Sequence, residues 1–197
     1  MPAYEDEHGT YIMNSKDLRA VQHVGKLTRM GIDSFKIEGR TKSVYYVART
    51  TQVYRKAIDD ALAGRPFDMG LMEELEGMAN RGFTEGFYRR HPPGEYQNYE
   101  RGFSTSERQQ FVGAVLDCND NWLTVDVRNR FETADHLQLM TTQGNVSFEL
   151  TTIADQEGRT TGVAPGSGHI VKIPLPGGLD PHSIDQFSLL IRYLPQP

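Results

Sequence analysis

Leu18, Val21, Val24 and Leu27 recur every third residue, which predicts one apolar face of a helix. Ser15 is a natural cap for it, Asp17 would sit in its first turn, and Gly31 is a natural stop. The preceding stretch TYIMNS, residues 10–15, reads as a short extended run. The stretch IDSFKI, residues 32–37, predicts a second strand, with Phe35 and Ile37 on one side and Lys36 and Glu38 on the other. Ser43 would then cap a longer helix carrying the stripe Val44, Val47, Thr51, Tyr54, Ile58 and Leu62, ended by Gly64 and Pro66. Strand, helix, strand, helix is the repeat of parallel α/β folds. A closed α/β barrel needs many more such units. Residues 1–66 are therefore expected to be the C-terminal part of an incomplete α/β, TIM-like barrel.

The pattern then changes twice. Residues 67–106 form a connector: an acidic amphipathic segment, DMGLMEELEGMA, followed by a stretch rich in Gly, Pro, aromatics and Arg. From about residue 107 onward, six short strand-like runs are separated by Asn, Asp, Gly and Pro turns: RQQFVGAVLD, NWLTVDVRNR, DHLQLMT, NVSFELTTI, HIVKI and QFSLLIRYL. Residues 107–197 are accordingly expected to form a small antiparallel β-barrel. The fold class is thus α/β plus all-β.

Composition narrows the function classes. The 197 residues are 38% hydrophobic and 24% charged, as in a folded soluble protein, and no run is long enough to span a membrane. The acidic, polar start has no signal-peptide character, so the expectation is a cytoplasmic protein. Net charge is −5, unevenly spread. Residues 31–66 carry seven Lys/Arg against four Asp/Glu, and residues 111–197 carry five against ten. Global charge argues against a nonspecific nucleic-acid coat but not against a local basic face. The single cysteine, Cys118, rules out an internal disulfide and any cysteine-built metal site made by this chain alone. The six histidines, His8, His23, His91, His136, His169 and His182, show no metal-ligand spacing, so no metal site is expected.

In parallel α/β folds, functional residues sit at the C-terminal ends of strands. FKIEGR, residues 35–40, reads as such an end, with Gly39 for a sharp turn. Lys36, Glu38 and Arg40 are the candidate catalytic residues there, with Lys42 beside them for substrate; a solvated turn with an incidental ion pair is the plain alternative. Beyond the connector helix, Arg81, Phe83, Phe87, Tyr88, Arg89 and Arg90 would stack on and clamp single-stranded bases, or else pack a domain interface.

The stretch DSFKIEGRTKSVYYVARTTQVYRKAID resembles the KIEGR-x-K-S segment of the collagenase-like peptidase U32 family. EDEHGTYIMNSKDL upstream and RGFTEGFYRR downstream resemble the same family, and the resemblance covers essentially the whole chain. It is nearest to the subgroup acting on the wobble uridine of tRNA. The resemblance implies an α/β barrel followed by a small β-barrel, of which this chain is the C-terminal portion. It implies prephenate-dependent 5-hydroxylation of that uridine, with tRNA bound through the full-length protein. It also implies an iron–sulfur cluster on upstream cysteines that these 197 residues lack, so this chain alone is expected to be incomplete. Two alternatives stand beside it: a collagenase-like peptidase fragment, and a non-catalytic RNA- or protein-binding β-barrel. Peptidase chemistry draws little support, because H-E-x-x-H and G-x-S-x-G are both absent. The half-finished α/β portion is expected to cover its apolar faces with the missing half or with a second copy.

Overall fold

The computed structural model describes residues 3–6, 9–12, 14–80, 82–88, 97–98 and 108–194. They fall into two compact units, Met1–Glu107 and Arg108–Pro197.

Among its described residues the first unit has short strands and three α-helices. Strands β1 (Ala3–Asp6) and β2 (Gly9–Ile12) pair antiparallel. Strand β3 (Asn14–Ser15) is followed by β4 (Asp17–Leu18), a 3-10 turn at Val21–His23 and helix α1 (Val24–Arg29). Helix α2 (Val44–Leu62) and helix α3 (Gly70–Glu76) come next, then β5 (Phe83–Thr84), a 3-10 turn at Gly86–Tyr88 and β6 (Gln97–Asn98). β3 pairs antiparallel with β6. β4 pairs with β5, the one parallel pairing among the described residues. The mixed character expected from the sequence is present, but a TIM-like barrel segment is not visible in this pairing.

Three local expectations are corrected. Ser15 does not cap a helix; it lies in β3, and the helical turn begins at Val21 with no side-chain cap. Residues 32–39 form no strand, because among the described residues no neighbouring edge offers them backbone partners. Helix α2 begins as expected, with the Ser43 side chain accepting from the Tyr46 N–H at 3.2 Å, but it turns a different face inward. Tyr45, Arg49, Val53, Ala57 and Asp60 are buried, whereas Val44, Val47 and Leu62 are exposed. The acidic segment after it is helical, as expected, in α3.

Charge pairing explains how α2 buries polar residues. Arg49, only 1% exposed, lies 3.3 Å from Glu74 of α3 and over the Tyr45 ring. Asp60 accepts from Lys56 at 2.8 Å and from Arg65 at 2.7 Å. These two hydrogen bonds hold its carboxyl below the ordinary 3.8. The stabilisation is therefore fully present above that pH and disappears as pH falls through the lower folded value. Asp60→Asn is expected to destabilise the protein at neutral pH, with the gap to wild type closing on acid titration. A gap that stays constant with pH would remove Asp60 from this role.

The second unit is built on period-2 alternation. Strand β7 (Gln109–Asn119) turns through Asp120 and Asn121 into β8 (Trp122–Val127). Both turn residues have positive φ, 52° and 62°, the two-residue hairpin geometry that Asp and Asn tolerate. β9 (Phe131–Glu132), β10 (His136–Thr141), β11 (Gly144–Glu149), β12 (Ile153–Ala154), β13 (Thr160–Thr161), β14 (Val163–Ala164), β15 (Ile170–Pro174) and β16 (Leu189–Tyr193) follow. Eight strands form one antiparallel sheet in the order β11-β10-β16-β7-β8-β15-β12-β13, and β9 pairs with β14 separately. The end strands β11 and β13 do not pair with each other among the described residues, so the expected barrel is an unclosed antiparallel sheet in this pairing. Leu123, Val125 and Val127 alternate into a core shared with Phe131, Leu137, Leu139 and Leu190.

β7 bends at register shifts against both neighbours, β16 and β8. Gly113 lies between the two shifts. A Cβ there would press into the Val125 side chain and stand 3.1 Å from the Asp126 carbonyl. Gly113→Ala is therefore expected to cost about 2 kcal/mol by overpacking, read as a lower denaturation midpoint. An unchanged midpoint would show that the sheet yields freely there.

Candidate functional site

The first unit holds a cavity of about 440 Å³. Its walls come from β4, α1, the irregular segment 32–38, the first half of α2, and Tyr88. Backbone bonds fix one wall: the Asp17 N–H donates to the Gly82 carbonyl at 2.9 Å, and the Arg19 N–H to the Thr84 carbonyl at 2.8 Å.

The polar end of the cavity is a three-residue network. The Lys42 ammonium donates to both Asp17 carboxylate oxygens, at 2.6 and 2.7 Å. The Tyr46 hydroxyl donates to the same carboxylate at 3.0 Å, and Lys42 lies 4.6 Å from the Tyr46 ring centroid. The Asp17 and Lys42 side chains are 12% and 22% exposed. Burial, reinforced by the Asp17 charge, pushes the Tyr46 phenol well above its ordinary value. Tyr54 also lines the cavity; its hydroxyl oxygen accepts from the Ala20 N–H at 2.8 Å, and burial pushes its pKa up as well. Both phenols are thus neutral hydrogen-bonding groups at physiological pH.

Lys36 and Glu38 stand at the rim, both exposed, with Nζ and Oε2 3.5 Å apart. Such an exposed pair adds little stability. Arg40 is exposed in the turn that the Lys42 N–H closes onto the Gly39 carbonyl at 2.9 Å. Gly39 allows a close approach: a Cβ there would lie 3.0 Å from a Val47 methyl. Of the candidate residues, Lys36, Glu38 and Lys42 therefore share one cavity, and Arg40 flanks it in sequence. Phe83 lies in β5 beneath the Arg19 guanidinium, 4.9 Å from its ring centroid. Phe87 lies in the Gly86–Tyr88 turn. Arg81, Arg89 and Arg90 lie outside the described residues.

Sequence reasoning missed Asp17 and Tyr46 as site residues, because Asp17 reads as a helix-start acid and its partners lie 25 and 29 residues further on. It also passed over His23. Its ring stacks on Tyr88 with centroids 5.0 Å apart, and its Nε2 lies 2.8 Å from Glu85.

An iron–sulfur cluster needs several thiolates. Cys118 lies in β7 of the second unit, where burial and then the Asp117 charge push its thiol up. Among the described residues no group of three His, Cys, Asp or Glu is placed to hold a metal. These residues do not fit such a cluster. No helix among the described residues is long and apolar enough to cross a membrane.

Two family models match the chain: Peptidase family U32 over residues 2–98, and Peptidase family U32 C-terminal domain over residues 107–190. Among similar proteins, the tRNA hydroxylation protein P of Escherichia coli (strain K12) is 56% identical over 193 residues, covering 98% of this chain and 42% of that protein. The tRNA hydroxylation protein P of Haemophilus influenzae is 53% identical over 196 residues, with the same coverages of 98% and 42%. A collagenase of Porphyromonas gingivalis is 31% identical over 111 residues, covering 55% of this chain and 30% of that protein. The chain thus spans well under half the length of these curated relatives. With family models matching both of its units, the chain belongs to peptidase family U32.

Proposed function

We propose that this chain is the C-terminal portion of a cytoplasmic U32 protein that hydroxylates tRNA, in a prephenate-dependent 5-hydroxylation of the wobble uridine, and that it is not catalytically complete alone. One observation carries the reading: identity of 56% to a tRNA hydroxylation protein runs through 98% of the chain, across both units. The cavity is compatible with it. Lys36 at the exposed rim, with exposed Arg40 beside it in sequence, is suited to phosphate oxygens of a single-stranded loop. Glu38 beside them is positioned to orient Lys36 or accept a proton. Lys42 is already neutralised by Asp17, so its role here is to position the Tyr46 side of the cavity rather than to capture an anion. The cluster that the family resemblance implies would take its cysteines from outside these 197 residues.

The first unit is read as the end of an α/β barrel and the second as a small β-barrel. Exposed Val44, Val47 and Leu62 then mark where further barrel elements, or a second copy of this chain, cover the first unit. The isolated chain is expected to self-associate in sedimentation; a strictly monomeric, stably folded chain would count against this.

Peptide hydrolysis has only the family label and the partial likeness to a collagenase behind it. Cys118 has its pKa shifted in the wrong direction for a nucleophile. The test is complementation. The full-length parent gene is placed in a host lacking its own copy and any redundant pathway, and its tRNA nucleosides are analysed by mass spectrometry. Restored 5-oxy modification of the wobble uridine is the expected result, and its continued absence would overturn the reading.

A further inference from the structure

Resting on that reading, we propose that the cavity of the first unit receives the target uracil base itself, turned out of the anticodon loop and stacked on Tyr88. An enzyme acting on a base must expose it, and a snug pocket then reads the base by stacking and by hydrogen bonds to its edge. The cavity has the size of a small-molecule pocket, about 440 Å³.

Three features fit a neutral, flat ring better than an anion. The first is charge. Of the two lysines on the lining, Lys42 is answered inside by Asp17 and Lys36 stands exposed at the rim, so the interior offers no uncompensated cation to a phosphate or carboxylate. The second is the platform. Tyr88 is 48% exposed and lines the cavity, while its ring is stacked on His23, which Glu85 holds at 2.8 Å. An exposed ring supported from behind presents a fixed surface for a base, and stacking of this kind tolerates no loss of the ring. Val24, Leu27 and Ile32 give the cavity apolar lining for the base faces.

The third feature is the hydrogen-bonding edge. The Tyr54 oxygen already accepts from the Ala20 N–H, and its own proton has no acceptor among the described residues. Tyr54 is therefore a donor for a base carbonyl. The Tyr46 proton is committed to Asp17, which leaves the Tyr46 oxygen as an acceptor for a ring N–H. Both phenols stay protonated because burial raises their pKa. One donor and one acceptor match the C=O and N3–H edge of uracil.

The experiment uses the full-length parent protein and an anticodon stem-loop RNA with 5-bromouridine in place of the target uridine. Near-ultraviolet irradiation cross-links that base to an adjacent aromatic side chain, and mass spectrometry locates the joined peptide. The expected cross-link is at Tyr88, or at Tyr46 or Tyr54 deeper in the same cavity. In parallel, Tyr88→Leu is expected to lower kcat/KM for tRNA hydroxylation roughly 10- to 100-fold, the span of one lost stacking contact. Tyr88→Trp, which keeps a ring, should stay within about fivefold of wild type. A cross-link outside this cavity, or a Tyr88→Leu protein of wild-type activity, overturns the base pocket while wild-type hydroxylation leaves the broader reading intact. A wild-type parent that hydroxylates no tRNA overturns both.

Discussion

Asp17→Ala is expected to destabilise the first unit by about 3 kcal/mol and to lower tRNA hydroxylation by the full-length parent by more than tenfold. One carboxylate holds two groups, the Lys42 ammonium through both of its oxygens and the Tyr46 hydroxyl through one. Both members of the ion pair are largely buried, with side chains 12% and 22% exposed. Removing the carboxylate strands an ammonium in a half-desolvated place, and stranding a buried charge costs more than the pair itself contributes. Lys42→Met should cost less, because Asp17 keeps Tyr46 and gains access to water. Asp17→Ala combined with Lys42→Met should recover part of the loss, since no charge is then left unanswered. Chemical denaturation of the four proteins measures the coupling. Strict additivity of the two single changes would mean that the pair contributes no interaction of its own.

Glu74→Ala is expected to have a comparable effect on stability, about 3 kcal/mol, through a different residue. Its partner Arg49 is the largest of the fully buried side chains, 1% exposed, and it is held at 3.3 Å from Glu74, near Gln52 and over the Tyr45 ring. Truncating Glu74 leaves the guanidinium in place with its countercharge gone. Arg49→Met should be milder, because it fills similar volume and removes the charge that needs an answer. The ordering matters more than either value. If Arg49→Met destabilises more than Glu74→Ala, the guanidinium contributes through packing and its other contacts, and the ion pair is secondary. Thermal unfolding of the two variants separates the cases.

The same two ion pairs show why the sequence was legible in some places and opaque in others. In the second unit, strands β7, β8, β10, β11, β15 and β16 lie in the six short runs read from the sequence or overrun them by no more than two residues, because apolar residues in each pack into a core the chain itself supplies. The two-residue strands β9, β12, β13 and β14 are too short to leave a periodic trace. In the first unit, the limits of α2 were legible from the Ser43 cap and the Gly64 stop, but its inward face was not. Hydropathy scores Arg49 and Asp60 as outward residues, yet Glu74, Lys56 and Arg65 allow both to be buried. Of the apolar stripe read instead, Val44, Val47 and Leu62 lie exposed. Residues 32–37 carry a strand pattern but find no partner strand among the described residues, since an edge must come from elsewhere in the fold. Asp17 illustrates the general limit. Its residue type fits a helix start, and only the three-dimensional return of Lys42 and Tyr46 makes it a site residue.

The rim is the part of the site that reads most clearly from sequence and does least for stability, because Lys36, Glu38 and Arg40 are all exposed. Loss of activity on changing them therefore reports on function rather than on folding. The most direct test is nucleoside mass spectrometry of wobble-uridine modification in the deficient host, comparing the full-length parent with its Glu38→Gln and Arg40→Ala forms at matched expression. The account predicts that the parent restores the modification and that both variants fail while remaining folded. Full restoration by both variants would contradict it and would reduce KIEGR to a structural turn.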